Sequence, residues 1–183
     1  MTRLSSRISF ILAAALLLPL VGVAAPADER TVRAPLQSVR VRKPAPNFAL
    51  KDASGQIVQL QNYRGKVLLL NFWATWCGGC KLEIPWFQEF ETTLGPKRFA
   101  VLGVSMDQEG WAAVKPYIEK AKATYRIVLA DQPTAEKYAI TSMPATFIID
   151  RKGRIAATYT GLVDRSDVET NLRALLSKHP HHP

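Results

Sequence analysis

The apolar run Val67–Phe72 leads within five residues to Cys77-Gly78-Gly79-Cys80, and a helix-forming stretch begins directly after it. The chain has two cysteines, both in this motif. A buried strand that ends on Cys-x-x-Cys at a helix start restricts the fold to a small set and makes the sulfurs a reactive pair. One helical turn brings them within bonding range. The first sulfur then meets the unpaired N–H groups and positive dipole end of the helix, which favour a thiolate. Gly78 and Gly79 let the backbone turn tightly and leave that sulfur open to a partner. A purely structural disulfide closing so short a loop would remove little unfolded-state entropy. Structural zinc takes four ligands, and the three histidines all lie in the last five residues. The pattern favours thiol–disulfide chemistry with no cofactor and no resident metal.

The N-terminus reads as a targeting segment. Arg3 and Arg7 precede an apolar stretch from Phe10 to Ala25, and small residues follow at Gly22 to Ala27. That is the layout of a secretory signal over residues 1–27, with cleavage after Ala24 or Ala27. The alternative is an uncleaved tether through residues 8–25. The stretch is shorter than the roughly 18 residues of a spanning helix, and Pro19 interrupts it, so cleavage is favoured. Export would place the thiols in an oxidising compartment, the periplasm. The formal charge of +9 would suit an anionic surface or acidic partners, but a basic solvated surface accounts for it. Export argues against nucleic acid as a partner.

Residues 28–43 are rich in Arg and Pro and lack periodicity, which predicts a linker. Residues 44–178 have the size of one domain. Phe48–Leu50 and Ile57–Leu60 flank the turn signature Asp52-Ala53-Ser54-Gly55 and predict a hairpin. Val67–Phe72 and Phe99–Val104 predict buried strands. A helix after the cysteines should end near Leu94, with a kink at Pro85. Trp111–Ala123 predicts a second helix disturbed by Pro116. Ile127–Leu129 predicts a short strand, and Thr134–Tyr138 a short helix. Thr146–Ile149 and Ile155–Thr160 bracket Asp150-Arg151-Lys152-Gly153, a second hairpin. Ser166 and Glu169 read as a capping box for a last helix. The order predicts an α/β domain with a mixed sheet and helices on both faces. The tail His179-Pro180-His181-His182-Pro183 could bind copper or nickel weakly, but reads as disordered and without a role.

These features resemble the thioredoxin-like fold, and within it the exported thiol–disulfide reductases of the TlpA/ResA type. The resemblance covers roughly residues 44–178. It rests on Pro44-Ala45-Pro46-Asn47-Phe48 with its hairpin, on Asn71 to Cys80, on Pro85, on Ser142-Met143-Pro144-Ala145-Thr146-Phe147, and on Gly161 before the last helix. It implies a central mixed β-sheet flanked by helices, with an N-terminal β-hairpin extension. It implies that Cys77 is the nucleophile and Cys80 the resolving thiol, and that Pro144 is cis, lies beside the sulfurs, and presents the backbone of Met143 to an extended substrate. Glu83, one turn past Cys80, would accept the proton of the resolving cysteine. Trp76 reads as an exposed docking residue and Trp73 as core. Two features depart from cytoplasmic thioredoxins: Asn71 stands where they carry a buried aspartate, and Gly78-Gly79 does not end in proline.

The resemblance implies a monomer that reduces protein disulfides, in apocytochrome c or in copper-site assembly proteins, and is recharged by a membrane thiol electron donor. No cation lies between the cysteines and Glu83 would oppose a thiolate nearby, which favours a reductant. A DsbA-like oxidant is an alternative. A peroxiredoxin-like peroxidase is suggested by Gly103-Val104-Ser105-Met106-Asp107 and Ala45-Pro46-Asn47-Phe48, although the Pro-x-x-x-Thr-x-x-Cys pattern is absent. A copper metallochaperone is weakened by the lack of a histidine within the folded region.

Overall fold

Alternation along Val67–Trp73 sends side chains to two separate cores, and this seven-residue strand, β3, is buried throughout. Val67, Leu69 and Trp73 join one apolar cluster; Leu68, Leu70 and Phe72 join another. A strand buried on both faces must lie inside its sheet. The computed structural model, which describes residues 31–177, places β3 at the centre of a five-stranded sheet.

The elements follow in the order β1 (Ala49–Lys51), β2 (Ile57–Gln59), β3 (Val67–Trp73), α1 (Gly78–Leu94), β4 (Phe99–Ser105), α2 (Trp111–Ala121), β5 (Arg126–Leu129), α3 (Gln132–Lys137), β6 (Ala145–Ile149), β7 (Ile155–Thr160) and α4 (Arg165–Ser177). The strand order is β5-β4-β3-β6-β7, and β1 and β2 pair separately. β3 runs parallel to β4 and antiparallel to β6. Side chains of α1, α2 and α4 pack into one cluster. Tyr138, after α3, and the hairpin residues Phe48, Leu50 and Val58 pack into the other. The sheet is therefore mixed, with helices on both faces and a hairpin before it.

Two expectations are corrected. Residues 31–43 are packed against the domain and do not form a loose linker. Gln37 N–H donates to Ala156 O at 2.8 Å, and Ile155 N–H donates to Lys43 O at 2.9 Å. The buried Arg42 guanidinium lies 3.1 Å from Asp150 and also donates to Gln37 O. Backbone pairing with an edge strand orders a segment that has no apolar period of its own. The cap of α4 is Asp164, not Ser166: its carboxylate accepts from Asp167 N–H at 3.0 Å and from the Ser166 hydroxyl at 2.6 Å. Glu169 instead pairs with Arg173. α1 and α2 each contain an internal proline, Pro85 and Pro116. Residues 1–27, the first three of the linker, Lys178 and the histidine tail lie outside the described residues. No helix among those described is long and apolar enough to cross a membrane.

Candidate functional site

The strand-to-helix turn is held from below by Asp107. Its carboxylate accepts from Thr75 N–H at 3.1 and 3.0 Å and from the Thr75 hydroxyl at 2.6 Å. Ser105 at the end of β4 donates to the same carboxylate at 2.9 Å. Met106 N–H donates to Trp73 O. The ends of β3 and β4 are thus tied together, and the turn that delivers Cys77 to the head of α1 is rigid.

Cys77 is the N-cap of α1, and its sulfur accepts from Cys80 N–H at 3.2 Å. The two cysteines form a disulfide with Cα atoms 5.3 Å apart. Cys80 is 1% exposed and Cys77 7%. The adjoining Trp76 is 66% exposed, and Leu82 is also exposed. The Met143–Pro144 peptide bond is cis. Pro144 is buried, and Met143 packs against the same cluster as both cysteines. Trp73 is fully buried.

Glu83 is 0% exposed, one turn past Cys80 on the inner face of α1. Burial drives its pKa up to about 8, and the backbone N–H of Val163 and the side chain of Asn71 partly offset that effect. Val163 N–H donates to Oε1 at 3.0 Å, and the Asn71 amide donates to Oε2 at 3.1 Å. Asn71 also donates to the Thr146 hydroxyl at 3.0 Å, which fixes the amide's orientation. The result is a carboxyl group able to gain or lose a proton near neutral pH, beneath a dithiol/disulfide pair. Sequence reasoning gave Asn71 no part in this, and it missed Val163, Thr146 and Asp107. Besides Glu83 itself, only the place of Asn71 where thioredoxins carry an aspartate pointed towards this spot. Val163 contributes a backbone group, which carries no sequence signal.

A family model described as the AhpC/TSA family matches residues 41–158. The chain belongs to the AhpC/TSA family. Within it the chain is 32% identical over 139 residues to the thiol-disulfide oxidoreductase ResA of Geobacillus kaustophilus, covering 75% of this chain and 79% of that protein. It is 32% identical over 130 residues to the thioredoxin-like protein YneN of Bacillus subtilis, covering 70% of this chain and 76% of that one. Among solved structures, a thiol:disulfide interchange protein DsbE of Chlorobium tepidum superposes with a TM-score of 0.70 at 29% identity, covering 74% of this chain and 97% of that chain. The fold is thioredoxin-like, and the protein is a thiol–disulfide oxidoreductase of the ResA/DsbE type carrying a Cys77–Cys80 pair.

Proposed function

We propose that this oxidoreductase is exported and works as a reductant of protein disulfides. The observation that carries the reading is the buried Glu83 carboxyl, held by Asn71 and Val163 one turn from Cys80. In the forward direction the Cys77 thiolate attacks a substrate disulfide. That S–S bond breaks, one substrate sulfur leaves as a thiolate, and a mixed disulfide to Cys77 forms. Cys80 gives its proton to the Glu83 carboxylate and attacks the Cys77 sulfur. The second substrate sulfur leaves, the Cys77–Cys80 disulfide closes, and two electrons have passed to the substrate. The proton that Glu83 took from Cys80 and then gives up, restoring its carboxylate, and the proton lost when Cys77 ionised together match those taken up by the two substrate thiolates. Trp76 and the Met143–Pro144 loop receive the extended substrate segment beside Cys77.

Glu83 in its ionised form, which it takes on increasingly as pH rises through about 8, raises thiol pKa and disfavours the dithiolate side. With no cation between the cysteines, the reduced form is the less comfortable one, and electrons flow outward. The apolar N-terminal stretch supports export to the periplasm or a tether at the membrane surface. A membrane thiol donor would then restore the dithiol, and apocytochrome c or copper-site assembly proteins would be substrates.

Equilibration with glutathione and dithiothreitol tests the direction. The expected potential is more negative than about −200 mV; a value near that of DsbA would overturn the reductant reading. The same preparation is expected to leave hydrogen peroxide unconsumed, since β4 and Asp107 serve to hold the Thr75 turn. Capturing mixed disulfides on a Cys80→Ala variant in the native host identifies the substrates.

A further inference from the structure

The segment 161–164 is held from three directions. Gly161 N–H donates to Pro144 O at 2.8 Å. Val163 N–H donates to Glu83 at 3.0 Å. On the remaining side, Val32 N–H donates to Leu162 O at 2.7 Å, and Asp164 N–H donates to Val32 O at 2.8 Å. Val32 and Val163 form a parallel bridge. In such a bridge one residue bonds to the peptide groups before and after its opposite number, whose own N–H points the other way. Val32 thus occupies both peptides flanking Val163, and the Val163 N–H is directed at α1. Two residues on, Ala34 locks the arm to α4. Its N–H donates to Asp167 at 3.1 Å, and its carbonyl accepts from the Asn171 amide at 2.9 Å. Val32 also packs on the cluster that holds both cysteines.

We propose that Val32 is a positioning residue for Glu83: its backbone bridge aims the Val163 N–H at the buried carboxyl and so sets that group's proton affinity. The arm before β1 is then part of the acid–base apparatus of the thiol pair. The consequence for the thiols rests on the reading of Glu83 as proton acceptor for Cys80.

The groups around Glu83 allow this. On α1 the titratable neighbours are the two cysteines, which in the disulfide carry no proton. From the segment before β5 comes Tyr125, a buried phenol whose pKa is raised by burial first and by the Glu83 charge second, so it stays neutral. From β3 and β6 come Asn71 and Thr146, which do not titrate. Asp164, next to Val163, turns its carboxylate to Ser166 and the Asp167 N–H. Among the described residues, Val163 N–H and the Asn71 amide are the donors to Glu83. Losing one of two hydrogen bonds to a buried carboxylate penalises the charged form and raises proton affinity.

The test compares full-length protein with Val32→Pro, which lacks the N–H that Leu162 O accepts, and Val32→Ala, which keeps both backbone bonds. Carbon-13 NMR of the oxidised protein reads the Glu83 titration directly. The pH dependence of Cys77 alkylation reads the reduced protein, with Glu83→Gln and the Val32→Pro/Glu83→Gln double variant alongside. Val32→Pro is expected to raise the Glu83 midpoint by about one unit, a tenfold gain in proton affinity. Val32→Ala should leave it in place, and Val32→Pro should not alter the alkylation profile once Glu83 is glutamine. An unmoved midpoint in folded Val32→Pro, or an equal shift in Val32→Ala, overturns the proposal. Should Val32→Pro fail to fold, an amide-to-ester replacement at Val32, which removes the same N–H without a ring, must shift the midpoint in the same direction or the proposal falls. If Glu83→Gln alone leaves the alkylation profile unchanged, the proton-acceptor reading fails, while the NMR titration still decides the role of Val32.

Discussion

The side-chain amide of Asn71 lies 3.1 Å from the Glu83 carboxylate in the protein interior, and it reaches back to Thr146 as well. One amide therefore links the central strand, its antiparallel neighbour and the helix that carries the cysteines. Replacing it by aspartate would put a second carboxyl beside the first. Asn71→Asp is expected to give two coupled titrations, with the upper one above that of Glu83 in the parent protein. Carboxyl NMR across the neutral range checks this; two independent titrations at ordinary carboxylate values would show that the groups do not share a site.

Glu83 also makes stability depend on pH with a sign opposite to that of an ordinary ion-paired carboxylate. Its folded pKa of about 8 stands above the reference value of 4.5. Between those values the folded protein keeps a proton that the unfolded chain releases, so stability falls as pH rises through that window. The full effect is of order a few kcal/mol. Glu83→Gln should flatten the slope and leave the variant more stable than the parent at pH 8. Denaturant titrations at several pH values measure it. Asp150 contributes in the other sense. Burial is the largest single influence on it and pushes its pKa up, but hydrogen bonds from Arg154 and Arg42 and the charge of Arg154 together outweigh it and leave the pKa lowered. Its share of stability is present above the unfolded carboxylate value and is lost on acidification.

The two thiols should divide their labour. Cys80→Ser is expected to accumulate mixed disulfides through Cys77, and Cys77→Ser should accumulate none, because Cys77 caps the helix while Cys80 is sealed inside it. Alkylation of the reduced protein near neutral pH should modify Cys77 first, because Cys77 is the more exposed of the two. Faster modification of Cys80 would reverse the assignment.

Gly103 lies opposite Asn71 in the β3–β4 ladder. A Cβ there would sit 3.0 Å from Trp73 Nε1, 3.1 Å from the Tyr125 ring and 3.2 Å from Ile127. Gly103→Ala should therefore cost about 1–3 kcal/mol through overpacking, read as a shift in the denaturation midpoint with an unchanged m-value.

Trp76 carries a large apolar surface outside the core, next to Cys77. Trp76→Ala is expected to leave the denaturation midpoint within about 0.5 kcal/mol of the parent while slowing the capture of protein disulfides by Cys77. Equal loss with a small disulfide such as oxidised dithiothreitol would place its role elsewhere than in docking.

The sequence by itself determined what depends on near neighbours. Val67–Phe72 and Phe99–Val104 were legible as buried strands because their apolar runs are continuous. The hairpins were legible from Asp-Ala-Ser-Gly and Asp-Arg-Lys-Gly, and the thiol pair from its spacing. From these the element order and the mixed sheet followed. Tertiary structure decided what depends on backbone groups arriving from far along the chain. Ser166 reads as a cap locally, yet the Asp164 carboxylate is the acceptor the helix uses. Residues 31–43 read as a linker because they have no periodicity, but ordering by pairing with an edge strand requires none. Asn71 read as inert because an amide does not titrate, although it can orient a group that does. The Val163 N–H, 80 residues from Glu83, could not be read at all. Every residue but proline carries such a donor, and only the path of the chain decides which one reaches a buried carboxylate.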